Sequence, residues 1–159
     1  MKVLITDSGI RNPYVHSLIN AYQRTGCEVV AGVADFYLSN FRADLLHVQW
    51  PESLCHQDWS VLGRPEEVIP ERIRGFIGSG AKIAFTVHNL HPHQPRNDVP
   101  YRDIYNSIIE LSDVIVHHGR ASIGLMAAEY PVLSRRKGTN NLSMSRFRMQ
   151  SSGNSPETG

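Results

Sequence analysis

Short apolar runs alternate along most of this chain with segments of helical periodicity, and this alternation restricts its fold more than any other feature. The strand-like runs cover residues 2–6, 28–33, 43–48, 83–87 and 114–116. The segments between them repeat apolar residues at helical spacing, as in the set Val15, Leu18, Ile19 and Tyr22. Buried strands that alternate with helices are typical of parallel sheets. The sequence therefore predicts an α/β fold with a doubly wound, mainly parallel, Rossmann-like sheet.

Charge and composition divide the chain near Pro131. Residues 1–130 carry 11 basic and 14 acidic side chains, a net charge of −3, whereas residues 131–159 carry 5 and 1, a net charge of +4. The second part lacks an apolar period and is rich in Ser, Asn and Gly, which is typical of disorder. We expect one domain at 1–130 and a basic, disordered tail at 131–159. That tail is either natural or the product of truncation or a shifted reading frame, and a third alternative is a basic patch for anionic lipid or nucleic acid.

Composition and missing motifs exclude several classes of protein. No apolar run approaches the roughly 20 residues of a membrane-spanning helix, and Cys27 and Cys55 show no metal-ligand spacing. We therefore expect reduced thiols and a cytoplasmic protein that contacts the inner face of a membrane peripherally at most. GxGxxG, GxxxxGK[ST] and GxSxG are all absent, which argues against dinucleotide binding, a P-loop nucleotidase and an α/β hydrolase.

Polar residues follow the predicted strands where each strand ends. In a parallel sheet these ends meet at one edge, which is where ligands bind in open α/β folds. The candidate binding residues at this edge are Ser8, Gly9, Gln49, Trp50, Glu52, His88, Asn89 and His118. His117 and His118 are adjacent, so we expect one of them to point inward.

Each candidate has a chemical reason and an ordinary alternative. Gly9 lacks a Cβ and would let a ligand approach the backbone. Trp50 offers a flat apolar face suited to a sugar ring, with an indole N–H beside it, although a tryptophan is more often a partly buried core or interface residue. Glu52 could accept hydroxyl protons or be a solvated charge. His88 can donate or accept a hydrogen bond at neutral pH.

The histidines after residue 87 raise a metal-site alternative. His88, His91 and His93 have spacings of three and two, which could ligate zinc in a hydrolase. The nearest carboxylate in sequence is Asp98, which is too far along the chain to complete the set. We therefore expect no metal.

The segments TVHNLHPH (86–93) and HVQWPE (47–52) resemble the amino-terminal half of a GT-B glycosyltransferase, most closely the bacterial group 1, family 4-like enzymes. The resemblance covers about residues 1–130. It implies transfer of a sugar from a nucleotide-sugar donor to a hydroxyl of a sugar or lipid-linked acceptor, in exopolysaccharide or glycoconjugate synthesis. It also implies that His88 is a catalytic-cleft residue, that Asn89 orients it or contacts ligand, that Gly9 approaches the donor phosphates, and that no cofactor beyond the donor substrate is needed.

The chain departs from that family in one important respect. The second, donor-binding domain of the family has no counterpart here, and a leaving diphosphate needs charge stabilisation. We therefore expect a glycosyltransferase by ancestry that is inactive without a carboxyl-terminal donor domain. The alternative from another class is a stand-alone α/β ligand-binding or regulatory module without catalysis. Nucleic acid is not an expected partner of either.

Overall fold

The sheet has the predicted α/β character. A computed structural model describes residues 1–10, 12–55, 63–93 and 95–135, and the backbone of 140–143. Its strands are β1 (Lys2–Ile5), β2 (Glu28–Ala31), β3 (Leu45–Val48), β4 (Lys82–Val87), β5 (Val114–His117) and β6 (Asn140–Ser143). They form one sheet in the order β2-β1-β3-β4-β5-β6, and each neighbouring pair is parallel. The prediction of a doubly wound, Rossmann-like sheet is confirmed.

Helices cover both faces of the sheet. They are α1 (Pro13–Arg24), α2 (Val33–Leu38), α3 (Pro51–Cys55), α4 (Pro65–Gly78), α5 (Tyr101–Leu111), α6 (Arg120–Glu129) and α7 (Val132–Arg135). Because successive side chains of a strand point to opposite faces, Val3 and Ile5 pack with Val15 of α1, whereas Leu4 joins the larger core under the other helices. Both faces of the sheet are therefore apolar.

Local chemistry fixes the start of α1 as the sequence indicates. The Asn12 side chain is the N-cap and accepts a hydrogen bond of 3.0 Å from the Tyr14 backbone N–H. Pro13 occupies the first helical position, where its missing N–H leaves no bond unmade. Gly26 follows the C-cap with a φ of 79°, which suits glycine.

Two short helices and one cap differ from the sequence-based expectations. Strand β2 ends at Ala31, so residue 33 begins α2 instead of ending the strand. The residues after β3 form α3, with Pro51 in its first position. Aspartate is a frequent N-cap residue, so the sequence predicts that Asp98 caps the next helix. That prediction is wrong, because α5 begins after Pro100 and Asp98 pairs with Arg96.

The tail differs from its predicted disorder at eight residues. Residues Val132–Arg135 form α7, and Asn140–Ser143 form β6, which pairs with β5 from Val114↔Asn140 to His117↔Ser143. The rest of the predicted tail, residues 136–139 and 144–159, lies outside the described residues. The division into a domain at 1–130 and a tail stays a prediction. Within the described residues, no helix has the length and apolar character needed to cross a membrane.

Candidate functional site

The carboxyl edge of the sheet contains the point where the strand order reverses. The chain runs from β1 outward to β2 and then crosses to β3 on the other side of β1. Ligands of open α/β folds bind outside the strand ends at such a reversal. Four of the predicted residues meet there, at the ends of β3, β4 and β5: Gln49, Trp50, His88 and His118.

Trp50 and His88 form the centre of this group. Their rings are stacked, with centroids 3.6 Å apart and planes inclined by 11°. Tyr14, from the first turn of α1, presents its ring edge-on to His88 at 5.0 Å and to His118 at 5.3 Å. We call Tyr14, Trp50, His88 and His118 the aromatic cluster. It joins flat apolar faces to ring nitrogens, a combination that suits a ligand with both apolar and hydroxyl surface.

Both ring nitrogens of His88 are hydrogen-bonded. Its Nε2 lies 2.6 Å from Oε1 of Gln49, and its Nδ1 lies 3.0 Å from Nε2 of His118. Gln49 is fully buried, and His118 is exposed. His88 therefore bonds to a buried residue through one ring nitrogen and to an exposed residue through the other.

Burial keeps both His88 and the fully buried His47 neutral. Desolvation lowers the pKa of His88 to about 3, with smaller contributions from the charges of His118 and His47. Desolvation also lowers the pKa of the buried His47 to about 4. At neutral pH the His88 imidazole is therefore a hydrogen-bonding group without charge, and a weak base.

The backbone at Trp50 is strained. Its φ is 22°, and no other non-glycine residue in the described part of the chain has a positive φ. Left-handed backbone is unfavourable for a bulky side chain, and such strain occurs most often at functional sites. The strain accompanies the turn that lays the indole against His88.

Ser8 and Gly9 lie beside the aromatic cluster rather than within it. An open cleft of about 510 Å³ is lined by Asp7, Ser8, Ile10 and Asn12. Ser8 is exposed there. Gly9 has a φ of 71°, and a Cβ at this position would come within 3.2 Å of the His16 backbone nitrogen. The glycine therefore allows close packing on α1, and its predicted contact with ligand stays a prediction.

Glu52 and Asn89 lie in a different environment, in which Glu52 is buried and Asn89 is partly buried. Glu52 lies in α3 and accepts a hydrogen bond of 2.9 Å from the Tyr105 hydroxyl through Oε2. Among the described residues, Glu52 Oε1 and Asn89 Nδ2 find no hydrogen-bond partner, and solvent reaches neither atom. In this conformation these two atoms are closed to a ligand, and the binding roles of both residues stay predictions.

The remaining histidines that the structure describes do not assemble a metal site. His91 and His93 are exposed, and His88 is occupied by Gln49 and His118. The part of the chain that the structure describes contains no group of three or more His, Cys, Asp or Glu side chains placed to hold a metal ion. His117 is fully buried and bonds to Ser122 at 2.9 Å, so the expectation that one of the adjacent histidines points inward is confirmed.

Three residues of this region were not among the sequence candidates. Tyr14 supplies an aromatic ring, and His47 and Thr86 join in a buried hydrogen bond of 2.8 Å behind Gln49. The available signal was a histidine within the apolar run LLHV and a threonine within IAFTV. Buried polar side chains on two neighbouring strands need hydrogen-bond partners. Here His47 and Thr86 are partners of each other.

Comparison with known proteins gives little beyond this geometry. No protein-family model matches the chain, and no curated protein matches it. Among solved structures, the chain is similar to a crystal structure of fructokinase with bound ATP from Xylella fastidiosa, with a TM-score of 0.39 and 14% identity. The match covers 79% of this chain and 46% of that one, so the chain spans less than half of the kinase's length. A likeness this slight bears on neither fold nor function.

Proposed function

We propose that this chain is the acceptor-side domain of a glycosyltransferase and that the aromatic cluster binds a sugar ring. The observation that carries the proposal is the Trp50–His88 stack at the carboxyl edge of the sheet, at a centroid distance of 3.6 Å. Each ring of this pair has one face that the other ring leaves uncovered, and aromatic faces stack on the apolar faces of sugar rings. Imidazole nitrogens bond to sugar hydroxyls. The same residues carry the GT-B resemblance of the sequence.

His88 acts in this proposal as a neutral hydrogen-bond partner of the substrate. A histidine with a pKa of about 3 stays uncharged at pH 7 and is poorly matched to removing a hydroxyl proton. Its role is therefore to orient a hydroxyl group of the bound sugar. The transfer proposed is from a nucleotide-sugar donor to a hydroxyl of a sugar or lipid-linked acceptor, in polysaccharide or glycoconjugate synthesis.

The donor requires groups that the aromatic cluster lacks. A leaving nucleoside diphosphate develops negative charge, which cationic groups must stabilise. We propose that a carboxyl-terminal donor domain supplies them and that this chain is inactive without it. Sugar transfer from a labelled nucleotide sugar by the purified chain alone would refute this requirement.

Tryptophan fluorescence tests the proposed binding. Trp50 is one of two tryptophans, and Trp59→Phe leaves it as the single reporter. Titration of this variant with methyl glucosides, galactosides and mannosides and with short glucose oligomers is expected to give a saturable change for at least one of them. His88→Ala is expected to weaken that binding about tenfold, in line with one lost hydrogen bond. A folded protein that responds to none of these sugars would contradict the proposal.

A stand-alone binding module is the second candidate. The neutral, doubly bonded His88 favours it, because recognition needs no proton transfer. Both candidates predict sugar binding, and they differ in catalysis. Transfer that appears when a GT-B donor domain is added in trans favours the enzyme, whereas binding without transfer favours the module.

A further inference from the structure

A continuous chain of hydrogen bonds crosses the sheet beneath the aromatic cluster. It begins on α1, passes through neighbouring strands and ends at the exposed end of β5. We call it the polar chain, and its members in order are Tyr22, His47, Thr86, Gln49, His88 and His118. The successive separations are 2.9, 2.8, 3.3, 2.6 and 3.0 Å.

Gln49 gives this chain a direction. A carboxamide has one end that only accepts and one that only donates. Its Oε1 faces His88, so Nε2 of His88 carries the proton and donates it. Its Nε2 donates to the Thr86 hydroxyl at 3.3 Å. The neutral His88 then has an unprotonated Nδ1, which accepts from Nε2–H of His118.

The direction continues through the buried half. The Thr86 hydroxyl accepts from Gln49, and its single proton can go to Nε2 of His47 or to Tyr14. When it goes to His47, the neutral His47 carries its proton on Nδ1 and donates to the Tyr22 hydroxyl. Rotating the Gln49 carboxamide by half a turn would reverse both bonds of that amide and the bond between His88 and His118. The two directions therefore predict opposite tautomers for His88.

We propose that Gln49 is a positioning residue that holds the His88 proton on Nε2 and so presents Nδ1, on the side of the exposed His118, as a hydrogen-bond acceptor for a ligand hydroxyl. His118 occupies that acceptor in this structure, and a ligand hydroxyl would replace it there. The nature of the ligand, a polyol such as a sugar, rests on the proposed function, whereas the tautomer of His88 does not. Because an amide does not titrate, Gln49 orients His88 and does not conduct its proton onward.

Imidazole nitrogen spectra test the tautomer directly. Protonated and unprotonated ring nitrogens have well-separated 15N shifts, and comparison with His88→Gln identifies the His88 signals among the eight histidines. The full chain at pH 7 is expected to show His88 with Nε2 protonated and Nδ1 unprotonated. The opposite tautomer, or nitrogen shifts averaged between the two, would overturn the proposal.

Matched variants test the role of Gln49. Gln49→Glu keeps an acceptor beside Nε2, so it is expected to retain the tautomer and to raise the His88 pKa. Gln49→Met has similar volume and no acceptor, so averaged nitrogen shifts are expected. The control His118→Ala removes the partner of Nδ1 and is expected to leave the tautomer unchanged. A Gln49→Met spectrum identical to wild type, or a change of tautomer in His118→Ala, would overturn the assignment to Gln49.

The wild-type spectrum decides the question even if a Gln49 variant fails to fold. It is also independent of the proposed function. A failure to bind any sugar would leave the tautomer result standing, and the wrong tautomer would leave sugar binding standing.

Discussion

The strained backbone of Trp50 has a consequence for stability that its contacts do not reveal. Replacing a side chain by glycine usually destabilises a protein relative to alanine, because glycine loses more freedom on folding. At the φ of 22° found at residue 50, glycine is expected to be more stable than alanine, because alanine has the Cβ that left-handed backbone disfavours. The strain is then a cost of placing the indole against His88.

We predict that Trp50→Gly is more stable than Trp50→Ala by about 1 kcal/mol. Both variants lose the same stacking, so their difference isolates the backbone. Urea unfolding of the two proteins measures it. Leu125, which is exposed in α6, is the control position, where alanine is expected to be the more stable by a similar amount. The same order at both positions would contradict a strained Trp50.

The buried His47 makes folding sensitive to mild acid. Its pKa is about 4 in the folded protein and 6.5 when unperturbed, so between these values the unfolded chain binds a proton that the folded chain does not. Stability is therefore intact above pH 6.5 and is lost as the pH falls toward 4. The titratable groups nearest to it are Tyr22, which bonds to its ring, and His88, whose lowered pKa acts in the same direction.

We predict that wild-type protein loses about 3 kcal/mol of unfolding free energy through His47 between pH 6.5 and pH 4. His47→Gln keeps an uncharged side chain whose amide oxygen can accept a hydrogen bond from Thr86. It is expected to show a shallower dependence, measured by urea unfolding at several pH values. His16→Gln removes an exposed histidine of α1 and is expected to match wild type. Equal slopes for wild type and His47→Gln would contradict a buried, neutral His47.

Among the elements, α2 shows how a tertiary contact completes a helix that the sequence does not signal. It has six residues and no side-chain N-cap. Arg72 of α4 donates to the carbonyls of Phe36 and Ser39, each at 2.8 Å, and its guanidinium lies over the Phe76 ring. One cation thus satisfies two carbonyls at the end of α2, where the helix dipole also favours positive charge.

We predict that Arg72→Met destabilises the protein by about 2 kcal/mol, because it removes two charge-assisted hydrogen bonds. Arg72→Lys is expected to recover part of the loss, since an ammonium cannot serve two carbonyls with the geometry of a guanidinium. Arg74→Met, at an exposed position in the same helix, is the control. Thermal unfolding of the three variants measures the effect, and equal melting temperatures for Arg72→Met and Arg74→Met would contradict it.

Local patterns predicted most of the fold because most of its elements are locally encoded. The β-branched runs and the capping residues Asn12 and Pro13 specify their elements without outside help. The errors occur where distant contacts decide. Val33 ends the predicted strand 28–33, yet it begins α2, whose last carbonyls bond to Arg72 of α4. The error at Asp98 is a local exception, because its partner Arg96 is two residues away. Strand β6 lies in a segment without apolar period, and it forms against an existing edge of the sheet.

The candidate site was predictable in its position but not in its geometry. Parallel strands bring their carboxyl ends together, so the meeting of Gln49, Trp50, His88 and His118 follows from the fold class. The hydrogen bond from His88 to Gln49 spans 39 residues, and the one from Tyr22 to His47 spans 25. Such pairings depend on strand register and helix docking, which single-sequence patterns do not encode.

For the molecule as a whole, we propose that the carboxyl edge of β3–β5 is a carbohydrate-binding surface. The most direct test is a backbone 1H–15N spectrum of the full chain titrated with methyl glycosides and short oligosaccharides. We predict saturable shifts concentrated at Tyr14, 49–52, 88–89 and His118. Shifts concentrated instead at the opposite edge, around Ser39 and Arg72, or no saturable shift with any of these sugars, would contradict the claim.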